Sequence, residues 1–378
     1  MLIGFVAGEA SGDLLAAPVI EELRRRLPGA QFAGIAGERM IAAGATAWWH
    51  VRELSVRGYA EVLRELPRLL RMRAALRARL LAGQPAVVVG VDSPDFNLRL
   101  EMQLRAAGVP TVHYVSPSIW AWRPKRIDKV RRAADRVLLV FPFEQRLYEE
   151  AGIAADYVGH PLASIIPQRA DPPAARARLG LAADEPLVAL LPGSRRAEVQ
   201  HIGPAFVDAA VLMLRREPRL RFALPVAEPG LREWLVPALA SAGAAAERLA
   251  LFDGRSHDCL EAADGVLVAS GTATLEAALY GKPMVIAYRM PPASYWIMRQ
   301  MGSVAFVGLP NILAGEALVP ELLQDEATPA KLAAALLGLL DDRPRCERLR
   351  GRFAAMHESL RRDTPGLAAE AIMATIGR

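Results

Sequence analysis

The sequence predicts an α/β protein of two facing Rossmann-like domains with parallel sheets, and three observations predict it. Short β-branched runs alternate with helical stretches in the first part of the chain, a segment rich in proline and polar residues breaks that rhythm at 167–173, and a second alternating set follows. Strands separated by helices imply βαβ units and hence a parallel sheet. The 378 residues exceed one ordinary core and suit two domains of about 150 to 200 residues each.

Taken in order, Leu2–Ala7 reads as a buried strand. The loop Gly8-Glu9-Ala10-Ser11-Gly12-Asp13 follows it, and a helical pattern runs over 14–27. Gly8 and Gly12 can take positive φ and let the backbone approach a ligand, beside the positive end of the helix. The loop matches neither common glycine-rich nucleotide fingerprint. Further strands read at Gln31–Ala36, 86–91, 111–115 and 137–141 complete an N-terminal domain over 1–166. Proline stiffens the connection at 167–173 while blocking helix and central strand. The runs Leu187–Leu191, 221–225, 249–252, Gly265–Ala269 and 283–287 then form a C-terminal domain over 167–345. From Pro329 the pattern is helical, with Leu332, Leu336, Leu337 and Leu340 at helix spacing. A helical tail over 346–378 is expected to return to the first domain.

Composition excludes several classes. No apolar run reaches the roughly 18 residues of a membrane span, and the N-terminus lacks a basic leader, so a cytoplasmic protein is expected. Cys259 and Cys346 stand far apart and outside any C-x-x-C, which indicates neither a disulfide framework nor a cysteine metal site. A net charge of +5 calls for anionic company. The arginines are spread along helices rather than gathered with aromatics, which argues against nucleic acid.

In open parallel sheets ligands bind beyond the carboxyl ends of the strands, so polar residues that follow apolar runs are the candidates. Asp92-Ser93-Pro94-Asp95-Phe96-Asn97 follows Val87-Val88-Val89. Asp92 is read as a general base and Asp95 as a cap of the next helix. No D-x-D or histidine-rich spacing accompanies them, so no required metal is expected. Pro192-Gly193-Ser194-Arg195-Arg196 joins backbone amides to a guanidinium suited to a phosphate, with Arg196 read as a solvated turn residue. Ser270, Gly271 and Thr272 stand at a helix N-terminus able to hold a diphosphate, and Glu276 one turn further on is placed to accept hydrogen bonds from ribose. Within 303–313, Asn311 is a candidate nucleotide reader.

From 59 to 81 six arginines (Arg64, Arg68, Arg71, Arg73, Arg77, Arg79) interleave with Val62, Leu63, Leu66, Leu69, Leu70, Met72, Leu76, Leu80 and Leu81, and Pro67 is read as a helix start. The pattern suits a basic amphipathic helix on anionic lipid, or a surface helix with its leucine face in the core. The run Trp120-Ala121-Trp122-Arg123-Pro124-Lys125-Arg126 suits a lipid-phosphate site or a stapled loop. His113, His160 and His201 are isolated and read as structural.

These segments together resemble the lipid-A-disaccharide synthases, the glycosyltransferases of bacterial lipopolysaccharide assembly. The resemblance is carried by Gly8-Glu9-Ala10-Ser11-Gly12-Asp13, Asp92-Ser93-Pro94-Asp95-Phe96-Asn97, Tyr114-Val115-Ser116-Pro117-Ser118-Ile119-Trp120-Ala121-Trp122-Arg123, Leu191-Pro192-Gly193-Ser194-Arg195, Ala269-Ser270-Gly271-Thr272-Ala273-Thr274-Leu275-Glu276 and Leu309-Pro310-Asn311, and spans nearly the whole chain. It implies a GT-B fold that holds an acylated acceptor on the N-terminal half and UDP on the C-terminal half. The implied reaction moves 2,3-diacylglucosamine from its UDP derivative to 2,3-diacylglucosamine 1-phosphate, releasing UDP and a β-1,6-linked disaccharide 1-phosphate.

Carried onto the matching positions, the family's roles make Asp92 the base and Arg195 a diphosphate clamp, with Ser11 near the chemistry. Ser194, Arg195, Ser270, Gly271, Thr272, Thr274, Glu276 and Asn311 would surround UDP, and Gly8, Glu9, Ser11 and Gly12 would face the reacting centre. Neither a cofactor nor a metal is implied. Val62, Leu63, Leu66, Leu69, Leu70 and Met72 would meet acyl chains or the inner face of the inner membrane, where the protein would sit peripherally. Arg57 departs from the apolar residue usual before Gly58, and Ser93 stands where alanine is usual. A homodimer is expected from the apolar residues of the final tail. Two other readings share these residues: a UDP-N-acetylglucosamine 2-epimerase of the same fold, and a catalytically idle sugar-nucleotide-binding protein docked on membranes.

Overall fold

The computed structural model describes residues 1–54, 59–120, 126–291, 295 and 305–376, with the backbone alone at 59–64 and 229. Arg57, Ser303 and positions 121–125 of the tryptophan-bearing run lie outside the described residues. The chain divides into two compact units, one of Met1–Pro161 with Leu360–Arg378 and one of Leu162–Ser359.

In the first unit the strands β1 (Leu2–Ala7), β2 (Gln31–Ala36), β3 (Ala45–His50), β4 (Val87–Val91), β5 (Thr111–Tyr114), β6 (Arg136–Leu139) and β7 (Ala155–Tyr157) form one parallel sheet in the order β3-β2-β1-β4-β5-β6-β7. Helices cover the sheet, so its central strands are apolar on both faces. Every residue of β4 is buried, the pattern expected of a parallel strand between two helical layers. Val6, Ile35 and Val88 pack with Leu76, Leu80, Leu100 and Leu104 from the helices Tyr59–Gly83 and Pro94–Arg105.

The second unit repeats the plan with β8 (Leu187–Leu191), β9 (Arg221–Val226), β10 (Leu249–Asp253), β11 (Gly265–Ala269), β12 (Met284–Tyr288) and β13 (Glu321–Leu323), ordered β10-β9-β8-β11-β12-β13 and again parallel. Val188, Leu190, Phe222 and Leu267 of this sheet pack against Phe206, Leu332 and Leu336. Strand order reverses between β1 and β4 in one sheet and between β8 and β11 in the other. At such switch points adjacent loops diverge and leave a crevice at the carboxyl ends.

Three strands go beyond the sequence reading. β7 and β13 are three-residue, half-buried edge strands, too short to show a period of two. In β3, Trp48, Trp49 and His50 are all half-buried, which erases the alternation. The first helix starts at Ala10 rather than 14. Its first turn includes Asp13, whose carboxylate accepts the Gly37, Arg39 and Met40 amides at 2.8, 3.1 and 3.0 Å. Pro67 lies inside the helix Tyr59–Gly83, not at its start.

The returning tail is shorter than expected. Helix Arg343–Leu360 stays with the second unit through Ser359. It buries Cys346, Leu349 and Phe353, and the His357 ring nitrogens lie 3.1 and 2.8 Å from the carbonyls of Leu279 and Ala163. The helix Thr364–Met373 packs on Ala10–Arg26 in the first unit, burying Ala368, Ala369, Ala371 and Ile372 beside an Arg26–Glu370 ion pair of 3.1 Å. Both cysteines are free and buried.

Candidate functional site

At the switch point of the first unit, the loops that leave β1 and β4 touch. The Gly8 amide donates to the Val91 carbonyl at 3.4 Å. A Cβ on Gly8 would lie 2.0 Å from the Ser93 Cβ, so glycine is required for this close approach. Neither Gly8 nor Gly12 uses the positive φ open to glycine. Positive φ falls instead on Asp92 (54°) and Ser93 (47°), a region that costs a residue with a side chain about 1–3 kcal/mol. Such strain persists only where the surroundings over-determine the backbone.

Asn97 supplies that constraint. Fully buried, its side-chain amide lies within donating distance of the carbonyls of Asp92 (2.8 Å), Val6 (3.1 Å) and Val91 (3.3 Å), while the Asp92 amide donates to the Tyr114 carbonyl at 2.8 Å. The Asp92 side chain is thereby held half-buried at the end of β4. Glu9 and Ser11 are exposed on the adjoining loop. Asp95 is not a cap: Ser93 occupies that position without a side-chain hydrogen bond, and the exposed Asp95 carboxylate pairs with Arg126. Beneath the loop, Glu101 and His113 form a fully buried pair at 2.8 Å. Burial holds the Glu101 carboxyl above the usual range, with His113 opposing the shift.

The second unit builds its crevice differently. Gly193 turns the chain after β8 at φ 113°, and a Cβ there would meet the Glu198 carboxylate at 2.5 Å. Glu198 accepts the Ser194 and Arg195 amides at 3.1 and 3.2 Å and the Arg195 guanidinium at 2.9 Å. Arg195 nevertheless keeps 78% of its side chain exposed. Arg196 is exposed as expected but is the first residue of the helix Arg196–Arg216, with its guanidinium over the Trp234 ring at 4.1 Å. After β11, exposed Gly271 and Thr272 open the helix Thr272–Leu279. The half-buried Glu276 follows, its carboxyl raised by burial and lowered in part by His257.

Three expected nucleotide contacts instead hold the 307–311 segment. Ser270 Oγ donates to the Val307 carbonyl at 2.8 Å, and Thr274 Oγ1 donates to Gly271 O at 2.8 Å and accepts the Leu309 amide at 3.2 Å. Asn311 is fully buried, with its amide bonded to both backbone groups of Val319 and to Glu321 at 2.9 to 3.0 Å. The groups left facing solvent are Ser194, Arg195, Gly271 and Thr272: a guanidinium and a helix N-terminus, a combination that binds anions.

The proposed acyl-contact residues also separate. Leu66 and Leu70 are exposed at 43% and 41%, and Leu69 is half-buried. Met72 is a core residue, 6% exposed and packed with Leu76 and Leu80. The side chains of Val62 and Leu63 lie outside the described residues. Several arginines on this helix have local partners, with Arg68 bonded to the Glu53 carbonyl at 2.8 Å and Arg79 over Trp48 at 4.4 Å. Among the described residues no acidic, histidine or cysteine cluster suits a metal ion, and no helix is long and apolar enough to cross a membrane.

A family model described as lipid-A-disaccharide synthetase matches residues 3–372. The lipid-A-disaccharide synthase of Verminephrobacter eiseniae (strain EF01-2) is 52% identical over 375 residues, covering 98% of this chain and 96% of that protein. Among solved structures, the kitacinnamycin glycosyltransferase has a TM-score of 0.63 at 17% identity, covering 99% of this chain and 98% of its own. The Neisseria meningitidis UDP-GlcNAc 2-epimerase bound to UDP-GlcNAc has a TM-score of 0.64 at 13% identity, with 99% of each chain covered. At these identities the structural likenesses show the fold alone, which is of the GT-B type. The near full-length match and the identity to a named synthase carry the further conclusion: the chain belongs to the lipid-A-disaccharide synthetase family.

Proposed function

We propose that the protein transfers 2,3-diacylglucosamine from its UDP derivative to the 6-hydroxyl of 2,3-diacylglucosamine 1-phosphate. Asp92 takes the hydroxyl proton as the oxygen forms its bond to the anomeric carbon. The carbon–oxygen bond to the diphosphate breaks on the opposite side, and UDP leaves. One displacement converts the α-linked donor into a β-1,6-linked disaccharide 1-phosphate.

The observation that carries this reading is the strained Asp92–Ser93 turn, held by the buried Asn97 at a switch point. It gives a carboxylate a fixed, half-dry position, which a general base requires. Arg195 and the helix end at Gly271–Thr272 offer charge to the departing diphosphate without a metal. Glu276 is assigned to the ribose, while Ser270, Thr274 and Asn311 serve by holding 307–311. Ser11 and Glu9, with the glycine loop, face the acceptor.

The exposed Leu66 and Leu70 on a basic helix support peripheral attachment to the inner membrane's cytoplasmic face. The apolar face of the C-terminal helix is already buried against Ala10–Arg26 within the chain and no longer argues for a homodimer, whose presence light scattering tests. Activity is tested in detergent micelles with both lipid substrates and EDTA, with products read by mass spectrometry. Tetraacyl disaccharide 1-phosphate and UDP are expected. Epimerisation of UDP-N-acetylglucosamine, or UDP binding without turnover, would overturn the assignment.

A further inference from the structure

The loops that leave β5 and β6 carry a buried carboxyl that the reaction above does not use. Glu144, first residue of the helix Glu144–Glu150, is 1% exposed. One carboxyl oxygen accepts the Trp120 indole N–H at 3.1 Å and the other the Phe141 amide at 3.3 Å. The Ser116 hydroxyl, 2.8 Å from the Tyr148 hydroxyl, lies near this carboxyl and opposes part of the effect of burial on it. Trp120 meets Phe143 edge-on with centroids 5.2 Å apart, Phe143 stacks on Phe141 at 5.6 Å, and Phe141 faces His160 at 5.2 Å. Packing alone does not explain the carboxyl, because an apolar side chain of that size would fill the space without the cost of drying an acid. What the acid adds is direction. It grips the indole by its single polar atom and so fixes the orientation of the ring.

The ring stands at the ligand end of the sheet, on the loop after β5. That strand neighbours β4, and the Asp92 amide is bonded to the Tyr114 carbonyl at its end. Flat aromatic surfaces with a few polar anchors line small-molecule sites. We infer that Glu144 is a positioning residue that sets the Trp120 indole as the platform for the acceptor's glucosamine ring. This rests on the proposed binding of the acceptor by the first unit.

The test uses the full chain labelled with 5-fluorotryptophan, with W120F identifying the Trp120 fluorine resonance. E144Q should move that resonance and raise KM for the acceptor about tenfold, leaving KM for the UDP-sugar unchanged. W120F should raise acceptor KM similarly, and E144Q added to W120F should contribute less than twofold more. Effects that multiply in the double variant, or an unmoved Trp120 resonance, would overturn the inference. So would a W120F variant in which neither the acceptor KM nor the UDP-sugar KM changes, which keeps the inference testable if E144Q does not fold. A KM effect on the UDP-sugar alone, with the resonance and double variant as expected, would instead overturn the assignment of the acceptor to the first unit.

Discussion

The two sheets reverse their strand order in the same way, yet the crevices that result are held by opposite means. The first is made rigid from below, where two consecutive left-handed residues are held by a fully buried amide and the acids Glu101 and Glu144 lie inside the fold. The second keeps its charge outside, with Arg195 largely exposed and the helix beginning at Thr272 opening into solvent. The difference follows the chemistry assigned to each. A base must hold one position relative to one hydroxyl and gains from partial drying. An anion clamp gains from a guanidinium that stays hydrated until a phosphate replaces the water.

The largest effect that would break this contrast is at Asp92. Asp92→Asn should lower turnover by about 10²–10⁴ while KM for the UDP-sugar stays level. Near-normal steady-state turnover would remove the base from the first crevice.

Next comes the buried acid at Glu144, which burial pushes from 4.5 up to about 7. Between these values the folded protein keeps a proton that the unfolded chain has released, so stability falls as pH rises through the window. The loss is roughly 3 kcal/mol, complete above pH 7. E144Q does not titrate. Its unfolding free energy relative to the parent, from urea titration, should therefore gain about that amount between pH 4.5 and 8. A constant difference would show an ordinary carboxyl and weaken the claim that the first crevice is built on buried acids.

Arg195→Ala should weaken UDP binding by about 10- to 100-fold, read by calorimetry, with the melting temperature unchanged because the side chain is exposed. Equal loss of stability would show Arg195 to be structural, like Asn97. The smallest effect is on the basic helix. Leu66→Ser and Leu70→Ser should alter unfolding free energy by no more than about 0.5 kcal/mol and reduce sedimentation with anionic vesicles. Unchanged vesicle binding would detach that helix from the membrane.

Much of this architecture is legible without coordinates. The runs that form β1, β2, β4, β5, β6, β8, β9 and β11 are buried at nearly every residue, and the loops after them point to Asp92, Arg195 and Gly271. Asn97 and Glu144 were not legible as site residues, because each lies in a helix where its role depends on a partner from another strand or loop. Asn311 shows the reverse error. A polar residue amid apolar neighbours suggests a ligand contact, yet its amide closes the backbone at Val319. Met72 and Leu70 are two residues apart in one amphipathic helix, and only the direction of each side chain separates a core residue from an exposed one.

The chain passes between the two units twice, at 161–162 and at 359–360, and the His160 amide is tied to the Leu360 carbonyl at 2.9 Å. During synthesis this sets an order of completion. The second unit is one continuous stretch, whereas the first is written in two pieces, and the helix Thr364–Met373 that covers Ala10–Arg26 is made only after the whole of the second unit. The half assigned to the acylated acceptor is thus the last to be finished, and a chain truncated after residue 359 would leave the helix Ala10–Arg26 without that cover.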